Sequence, residues 1–322
     1  MIISQKIRIY PNKTMQLQFK DFFNYSRYSY NVSLNIWNEM YINGNKPNER
    51  KVRDEYKRKL KPEWDNFPPN IFDNTCKNMA YGWKRFFTSN SGKPKFKNKR
   101  KAKSSFTINR KAESTIRIIN NRLFLPKFKY GVKMSESIRF NGDIKICTIT
   151  KRANQYFASF CIDTDDSMYH SNQNLPTVGI DANIGHFDIS EENHRFNSPL
   201  KNLIPLYKKI SLYQKILSRK VNNSNKYNKV KIKLQNIYLK IQNIQDDWLH
   251  KFTSYVIKNY HTICIEDLNV KGMLSNRKIS KSISRSLFYR FKVQLQYKSI
   301  LYGNTLIIAD RWFPSTQICS CC

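Results

Sequence analysis

Apolar residues along this chain recur with two different periods, and each change of period marks a new segment. The stretch QKIRIYP alternates apolar and charged residues and ends at Pro11, which predicts a short strand. In the stretch that follows, apolar residues at three- and four-residue steps, including Leu17, Tyr30 and Leu34, predict one face of a long helix. A second helical pattern covers residues 71–87.

Between residues 105 and 161 the period changes to two, and short strand-like runs are separated by Asn, Gly and Pro. This pattern predicts a β-rich unit. The opening strand is a candidate member of the same sheet. The polar stretch DTDDSMYHSNQNLP follows and predicts a linker, with a domain boundary near residue 170.

The third part of the chain alternates strands with helices. The apolar run TVGIDANIGHFDIS is broken by Asp181, and HTICIEDLNVKGM is another apolar strand that ends in acids. Between them, two stretches with helical spacing are joined by NNSNKYN, which predicts a helical hairpin. An amphipathic segment around RSLFYRFKVQLQYKSILYG and the strand TLIIAD complete the pattern. Such alternation predicts an α/β unit with a mixed sheet.

The charge of the chain narrows the class of partner. Lys and Arg number 57 against 23 Asp and Glu, which gives a net charge of +34. An excess of this size, spread over most of the chain, indicates a polyanion. Aromatic residues make up 14% of the chain and favour a groove that stacks bases as well as neutralising phosphates. No apolar run approaches the roughly 20 residues of a membrane helix, and the start lacks the apolar core of a signal peptide. The sequence therefore predicts a cytoplasmic protein with no membrane partner.

The densest positive charge lies in KPKFKNKRKAK, next to the helix-breaking Gly92 and Pro94. A charge run is usually a solvated linker. This run is embedded between folded segments of a basic chain and contains no acid, so we predict a loop that contacts phosphates. Its cations are Lys93, Lys95, Lys97, Lys99, Arg100, Lys101 and Lys103.

Two acids stand at the ends of predicted buried strands. Asp181 follows VGI and Glu266 follows ICI. Either one alone is most simply a strand-end or helix-capping acid. Together, two such carboxylates from adjacent strands can share magnesium, which prefers hard oxygen ligands. Paired metals about 3.5–4 Å apart drive the in-line hydrolysis of phosphodiesters, so the pair predicts a nuclease metal site.

Four motifs resemble, in this order and at these spacings, those of the transposon-encoded TnpB nucleases, relatives of the type V CRISPR effectors: GIDANIGHFDIS, IEDLNVKGM, SISRSLFYRFKVQLQYKS and RWFPSTQICSCC. The resemblance extends from KIRIYP to the last residue. It implies that Asp181 is the first RuvC-type aspartate of the family and that Glu266 is its glutamate. It also implies cleavage of DNA chosen by a guide RNA, so that guide RNA and double-stranded target DNA are the expected partners and magnesium the expected metal.

The family's architecture implies a multidomain α+β fold. A helical recognition region is inserted in a β-barrel wedge domain, and an RNase H-like (RuvC) α/β domain follows. The implied boundaries on this chain are residues 1–10 and 104–165 for the wedge domain, 11–103 for the recognition region with its basic loop, 166–175 for a linker, 176–314 for an incomplete RuvC-like domain, and 315–322 for the first half of a zinc ribbon. We expect a monomer.

The family resemblance also bears on the C-terminal cysteines. In the family, CSxC opens a four-cysteine zinc ribbon, and a helix after the second knuckle carries the third catalytic aspartate. This sequence ends before both. Cys319 and Cys322 therefore provide half of a zinc site that needs four ligands, and Cys321 is poorly placed to complete it. We expect no stable zinc site and impaired cleavage, with Asp310 only a weak substitute for the missing acid.

Two departures from the family lie in the strand after Asp181. Where the family usually has Gly and Lys, this chain has Asn183 and Gly185, so the turn chemistry differs, although Asn tolerates left-handed backbone. Asp188 adds an acid where the family is usually apolar or small.

Three functions remain open from the sequence. The first is an RNA-guided DNA endonuclease of the TnpB type with weakened cleavage. The second is a nuclease-dead RNA-guided DNA-binding repressor, and the third is a DNA transposase. A transposase would need terminal DNA ends and no RNA, whereas a guided protein grips a heteroduplex and reads only a short adjacent motif.

Overall fold

The computed structural model describes residues 1–58, 66–89, 91–99, 102–110, 116–164, 174–190 and 194–310. The chain divides into two units, Met1–Asp165 and Asp166–Cys322. No helix in these described ranges is both long and apolar enough to cross a membrane.

The first unit is built on a seven-stranded antiparallel sheet that curls into a half-barrel. Its strand order is β2-β6-β7-β1-β5-β4-β3. The prediction that the opening strand joins this sheet is confirmed, because β1 pairs with β7 on one side and with β5 on the other. The strands are β1 (Ile2–Tyr10), β2 (Ser104–Asn109), β3 (Arg117–Ile119), β4 (Arg122–Phe124), β5 (Val132–Met134), β6 (Asp143–Arg152) and β7 (Gln155–Asp163).

Three helices complete this unit: α1 (Lys13–Ile42), α2 (Glu49–Arg58) and α3 (Pro69–Thr88). The first helix begins where the side chain of Asn12 accepts a hydrogen bond from the Met15 amide at 2.8 Å, the usual role of Asn at this position. Phe19 anchors the helix, because its ring lies 4.8 Å from that of Phe128 and 5.8 Å from that of Phe106. The prediction that Leu17 belongs to the buried face of this helix is wrong, since its side chain is 62% exposed.

The second unit contains a five-stranded sheet with the order β10-β9-β8-β11-β12. Strands β8, β9 and β10 are antiparallel, whereas β8, β11 and β12 are parallel, so the predicted mixed sheet is confirmed. The strands are β8 (Thr177–Asn183), β9 (His186–Ile189), β10 (His194–Asn197), β11 (Thr262–Glu266) and β12 (Thr305–Ala309).

The helices of this unit are α4 (Leu200–Ser218), α5 (Asn225–Asn259), α6 (Val270–Ser275), α7 (Ser280–Arg285) and α8 (Phe288–Tyr302). The first two form the helical hairpin that the sequence predicted. One face of the sheet packs on α5 and α8 through a ring cluster, in which Phe187 lies 5.1 Å from Phe252 and 4.7 Å from Phe291. The strand residues whose side chains alternate away from this core are therefore on the opposite face.

A buried lysine joins α8 to α5. Lys298 is only 6% exposed, and its ammonium donates to the His250 carbonyl at 3.0 Å and to the hydroxyls of Thr253 and Ser254 at 2.7 and 2.8 Å. All three acceptors are neutral. Burial therefore lowers the pKa of Lys298 from 10.5 to about 8, because desolvation disfavours the charged form.

This lysine predicts a pH dependence of stability. Between pH 8 and 10.5 the unfolded chain binds more protons at Lys298 than the folded chain does, so the free energy of unfolding should rise with pH in this window. Lys298→Met removes the effect. In denaturant titrations, the wild type should gain stability relative to Lys298→Met between pH 7.5 and 10, and the exposed control Lys258→Met should track the wild type. A constant gap between the wild type and Lys298→Met would contradict the prediction.

Candidate functional site

The two predicted carboxylates end neighbouring strands. Strands β8 and β11 run parallel with Ile180 opposite Ile265, so the next residues, Asp181 and Glu266, stand level at the same edge. Adjacent strands lie about 4.8 Å apart. Ile180 and Ile265 are buried in the core, whereas Asp181 and Glu266 are exposed. Both carboxylates therefore leave the sheet on the face opposite α5 and α8.

A third acid lies on the same face. Asp188 pairs with Asp181 across the antiparallel β8–β9 ladder. Its carboxylate accepts a hydrogen bond from Arg195 Nε at 2.9 Å and lies 3.3 Å from His186 Nε2. The hydrogen bond from Arg195 holds the pKa of Asp188 below its usual value, and the charges of Arg195 and His186 add to this effect. The charge of Asp188 is thus already balanced within the sheet.

Asn183 connects the acids on this face. Its side-chain amide donates to Asp181 Oδ2 at 2.7 Å and reaches Asp188 Oδ2 at 3.3 Å. Within the described residues, no cation forms an ion pair with Asp181 or Glu266. These two carboxylates therefore differ from Asp188 in keeping their negative charge available to a bound ligand.

The hairpin after Asp181 explains the two unusual residues in this motif. Asn183 pairs with His186, which leaves Ile184 and Gly185 as a two-residue turn. Gly185 has φ +99°, a conformation that side chains rarely adopt. The left-handed position is therefore Gly185, and Asn183 remains in the strand, where its amide binds Asp181.

A cleft of about 330 Å³ lies beside Glu266. Its lining includes the buried Phe288, the exposed Tyr289, and the lysines Lys271 and Lys292. Lys292 is held by an ion pair with Asp267, with Nζ and Oδ1 2.6 Å apart. The cleft offers apolar and cationic contacts beside Glu266 at the end of β11, a combination that suits part of a nucleotide.

Of the remaining predicted acid and cysteines, the structure describes only the acid, Asp310. Ala309 on β12 is level with Glu266, so Asp310 follows one residue beyond the carboxylate pair. Cys319 and Cys322, like Arg100 and Lys101, lie outside the described residues. Among those that are described, no group of three or more His, Cys, Asp or Glu side chains is arranged to hold a metal.

In the first unit, the predicted basic loop is fastened to α1 and α3. Asn31 of α1 accepts from the Lys97 amide at 2.8 Å and donates to the Lys97 carbonyl at 3.1 Å. The ammonium of Lys97 lies 3.7 Å from the centre of the Tyr30 ring, and that of Lys93 lies 5.4 Å from the Trp83 ring. Desolvation lowers the pKa of Lys97. These two lysines hold the loop in place through their ring contacts, although their side chains are exposed, as is that of Lys95.

The other described loop lysines line a groove of about 610 Å³. Lys99 and Lys103 form one part of the lining, and three cations of α1 form another: Lys13, Lys20 and Arg27. Sequence reasoning missed the α1 cations. The signal was their seven-residue spacing, which is close to two helical turns and places all three on one side of the helix. The groove is a candidate nucleic-acid interface.

Models of known families match three parts of the chain. Residues 159–277 match the OrfB_IS605 model, described as "Probable transposase". Residues 288–322 match a Cas12f1-like TNB domain. Residues 1–46 match a helix-turn-helix model of the same OrfB_IS605 group, although here they form β1 and the single long helix α1.

Similar curated proteins carry consistent names. A "Putative RNA-guided DNA endonuclease" from Streptomyces pristinaespiralis is 27% identical over 76% of this chain, and the match spans 60% of that protein. "Putative RNA-guided DNA endonuclease InsQ" from Escherichia coli K12 is 27% identical over 98% of this chain and 82% of its own length. "TnpB-like protein L79" of Acanthamoeba polyphaga mimivirus is 28% identical over 48% of this chain and 32% of its own length. The chain is thus similar to proteins named RNA-guided DNA endonucleases and to a TnpB-like protein.

A similar fold extends over nearly the whole chain in one solved structure. The Cas12f1 chain in a cryo-EM structure of its complex with sgRNA and target DNA superposes with a TM-score of 0.54. The alignment covers 96% of this chain and 89% of that one, at 12% sequence identity.

Proposed function

We propose that this protein binds DNA under the direction of a guide RNA and cleaves it with a RuvC-like, metal-dependent site. The level placement of Asp181 and Glu266 on one face of a mixed sheet carries this proposal. That sheet pairs three antiparallel strands with two parallel ones and is flanked by helices, as expected for the α/β nuclease domain that the family resemblance implies. The names of the similar proteins support the same activity.

Magnesium fits the donor set of this site. Asp181 and Glu266 offer hard oxygen ligands on one exposed face, without a competing ion pair in the described chain. When bound, magnesium supplies a Lewis acid and an activated water for phosphodiester hydrolysis. The amide of Asn183 orients the Asp181 carboxylate by donating to Oδ2, which leaves Oδ1 for a ligand. Arg195 neutralises Asp188 and so lowers the repulsion among the three acids.

The groove of the first unit supplies the grip on nucleic acid. Its α1 and loop lysines are suited to phosphates, whose neutralisation releases counterions and gives salt-dependent affinity. Such contacts read the backbone of a guide–target heteroduplex and leave the choice of sequence to base pairing. Guide RNA and double-stranded target DNA are the partners that this arrangement favours.

A DNA transposase is the second candidate, and the description of the model that matches residues 159–277 favours it. The two functions differ in their need for RNA. A transposase would act on specific DNA ends without a guide, whereas a guided protein acts on any duplex that matches its RNA. A guided repressor that does not cut would share the RNA requirement and lack the cleavage.

The RNA requirement is directly testable. The full chain, expressed with its flanking genomic DNA, should copurify with a discrete RNA, because a charge of +34 favours a bound polyanion. Sequencing should show enrichment of the transcript that overlaps the end of its own gene. The RNA-loaded protein should bind a matched DNA duplex and ignore a scrambled one. Equal binding to both duplexes would overturn the guided function. Sequence-specific DNA binding by protein from which RNase has removed all RNA would overturn it as well.

A further inference from the structure

The hairpin formed by α4 and α5 carries a second basic surface, outside the predicted basic loop. From residue 193 to residue 245 the sequence contains no Asp or Glu. Acids reappear at Asp246 and Asp247, where they pair with Arg290 and Lys251. The hairpin between those limits carries eleven cations: Lys201, Lys208, Lys209, Lys215, Arg219, Lys220, Lys226, Lys229, Lys231, Lys233 and Lys240.

The cations of α4 are concentrated on one face. Its inner face buries Leu203 and Ile210 against Leu234 and Ile241 of α5. The opposite face carries an exposed row of cations at seven-residue steps, completed by an arginine just past the end of the helix. Seven residues advance a helix by about 10.5 Å, so the row repeats at nearly every second turn. We call these residues the α4 row: Lys201, Lys208, Lys215 and Arg219.

The α4 row does not stabilise the packing of the hairpin. Within the described chain, its four side chains have no ion pair or hydrogen bond. Like charges along one face repel each other, and a surface built only for solubility would mix both signs. The α1 cations Lys13, Lys20 and Arg27 share the same seven-residue spacing and line the groove of the first unit. The same arrangement on two separate helices points to the same kind of ligand.

A membrane surface fits the row less well. Helices that lie in a membrane interface bury a broad apolar face beneath their cations. On the outer face of α4 the large apolar side chains Ile204 and Leu212 are 48% and 55% exposed, and they stand singly among the lysines. Polar and cationic residues dominate this face, as expected for contact with phosphates.

We propose that the α4 row binds the phosphodiester backbone of a nucleic-acid duplex, independently of sequence. This inference rests on the proposed function, because a guided protein must hold both a structured RNA and a heteroduplex. The α4 row would give the second unit its own electrostatic hold on the duplex.

The test compares two variants of the full chain that lose the same charge. One is Lys201→Gln/Lys208→Gln/Lys215→Gln/Arg219→Gln. The matched control, Lys258→Gln/Arg277→Gln/Lys278→Gln/Lys281→Gln, removes three lysines and one arginine that are also exposed in the second unit. Gln has nearly the helix propensity of Lys and Arg, and circular dichroism and thermal melting verify that both variants fold.

The readout is the dissociation constant for an RNA duplex and for a DNA duplex between 50 and 300 mM KCl. Each phosphate contact contributes about 0.9 to the slope of log affinity against log salt. The α4 variant should lose about 3 to 4 from the slope for at least one duplex and bind it at least about tenfold more weakly at 150 mM. The slope of the control should differ from the wild-type slope by no more than about 0.9, the contribution of one phosphate contact. Equal slopes for the two variants would overturn the inference, whereas a wild type that binds neither RNA nor DNA would overturn the proposed function itself.

Discussion

Asp181→Ala and Glu266→Ala should each lower magnesium-dependent cleavage of a guide-matched DNA duplex by about a thousandfold or more. A bound metal ion supplies several kcal/mol of transition-state stabilisation, and each 1.36 kcal/mol corresponds to a tenfold change in rate. Both side chains stand level on the exposed face of the sheet, so the loss of either removes one of the two carboxylates that we propose as metal ligands. Single-turnover cleavage of a labelled duplex by the RNA-loaded protein measures the effect.

The control for this prediction is Asp188→Asn. Asp188 occupies the same face, but its carboxylate is already paired with Arg195, so its loss should slow cleavage far less than the loss of Asp181. Binding of guide RNA and matched DNA should remain unchanged in all three variants, because the groove lies in the other unit. If Glu266→Ala cleaves at the wild-type rate, Glu266 is not a metal ligand, and the site must be sought elsewhere.

The sequence was most informative where one face of an element is buried. The apolar runs before Asp181 and Glu266 predicted strands because a strand in the middle of a sheet is covered along its length. An acid at the end of such a strand is one of the few polar residues in an apolar stretch, so it can be recognised from the sequence. That the two acids stand level, however, depends on the pairing of Ile180 with Ile265. Register between strands about 80 residues apart is a tertiary property, and no local pattern encodes it.

Other features escaped prediction because local signals were weak or ambiguous. Leu17 falls in the helical pattern of α1, yet Phe19 fills the sheet-facing position and leaves Leu17 exposed. Helix α2 has few apolar residues, and only Val52 and Tyr56 are buried. The basic loop could be predicted because its cations lie close together in the sequence. The α1 cations are spread over two full heptads, and their common side becomes apparent only when the helix is known.

Those α1 cations give the second large expected effect. Lys13→Gln/Lys20→Gln/Arg27→Gln should weaken binding of the copurifying RNA by roughly a hundredfold at 150 mM salt, because each lost phosphate contact costs about fivefold under these conditions. All three residues line the groove with Lys99 and Lys103. The variant therefore removes the positive charges on the α1 side of the groove and leaves those of the loop. The dissociation constant for the RNA, measured by filter binding after removal of the native RNA, reports the loss.

A matched control separates contact from overall charge. Lys46→Gln/Arg50→Gln/Lys57→Gln removes the same three charges from exposed positions of the same unit that do not line the groove. If only net charge matters, the two variants lose equal affinity, and the groove has no special role. If the groove holds the RNA, the α1 variant loses about 2 to 3 from the salt slope and the control less than one. Because Phe19 and the other buried side chains of α1 are unchanged, the helix should stay on the sheet, and an unaltered melting temperature would attribute the loss to the groove itself.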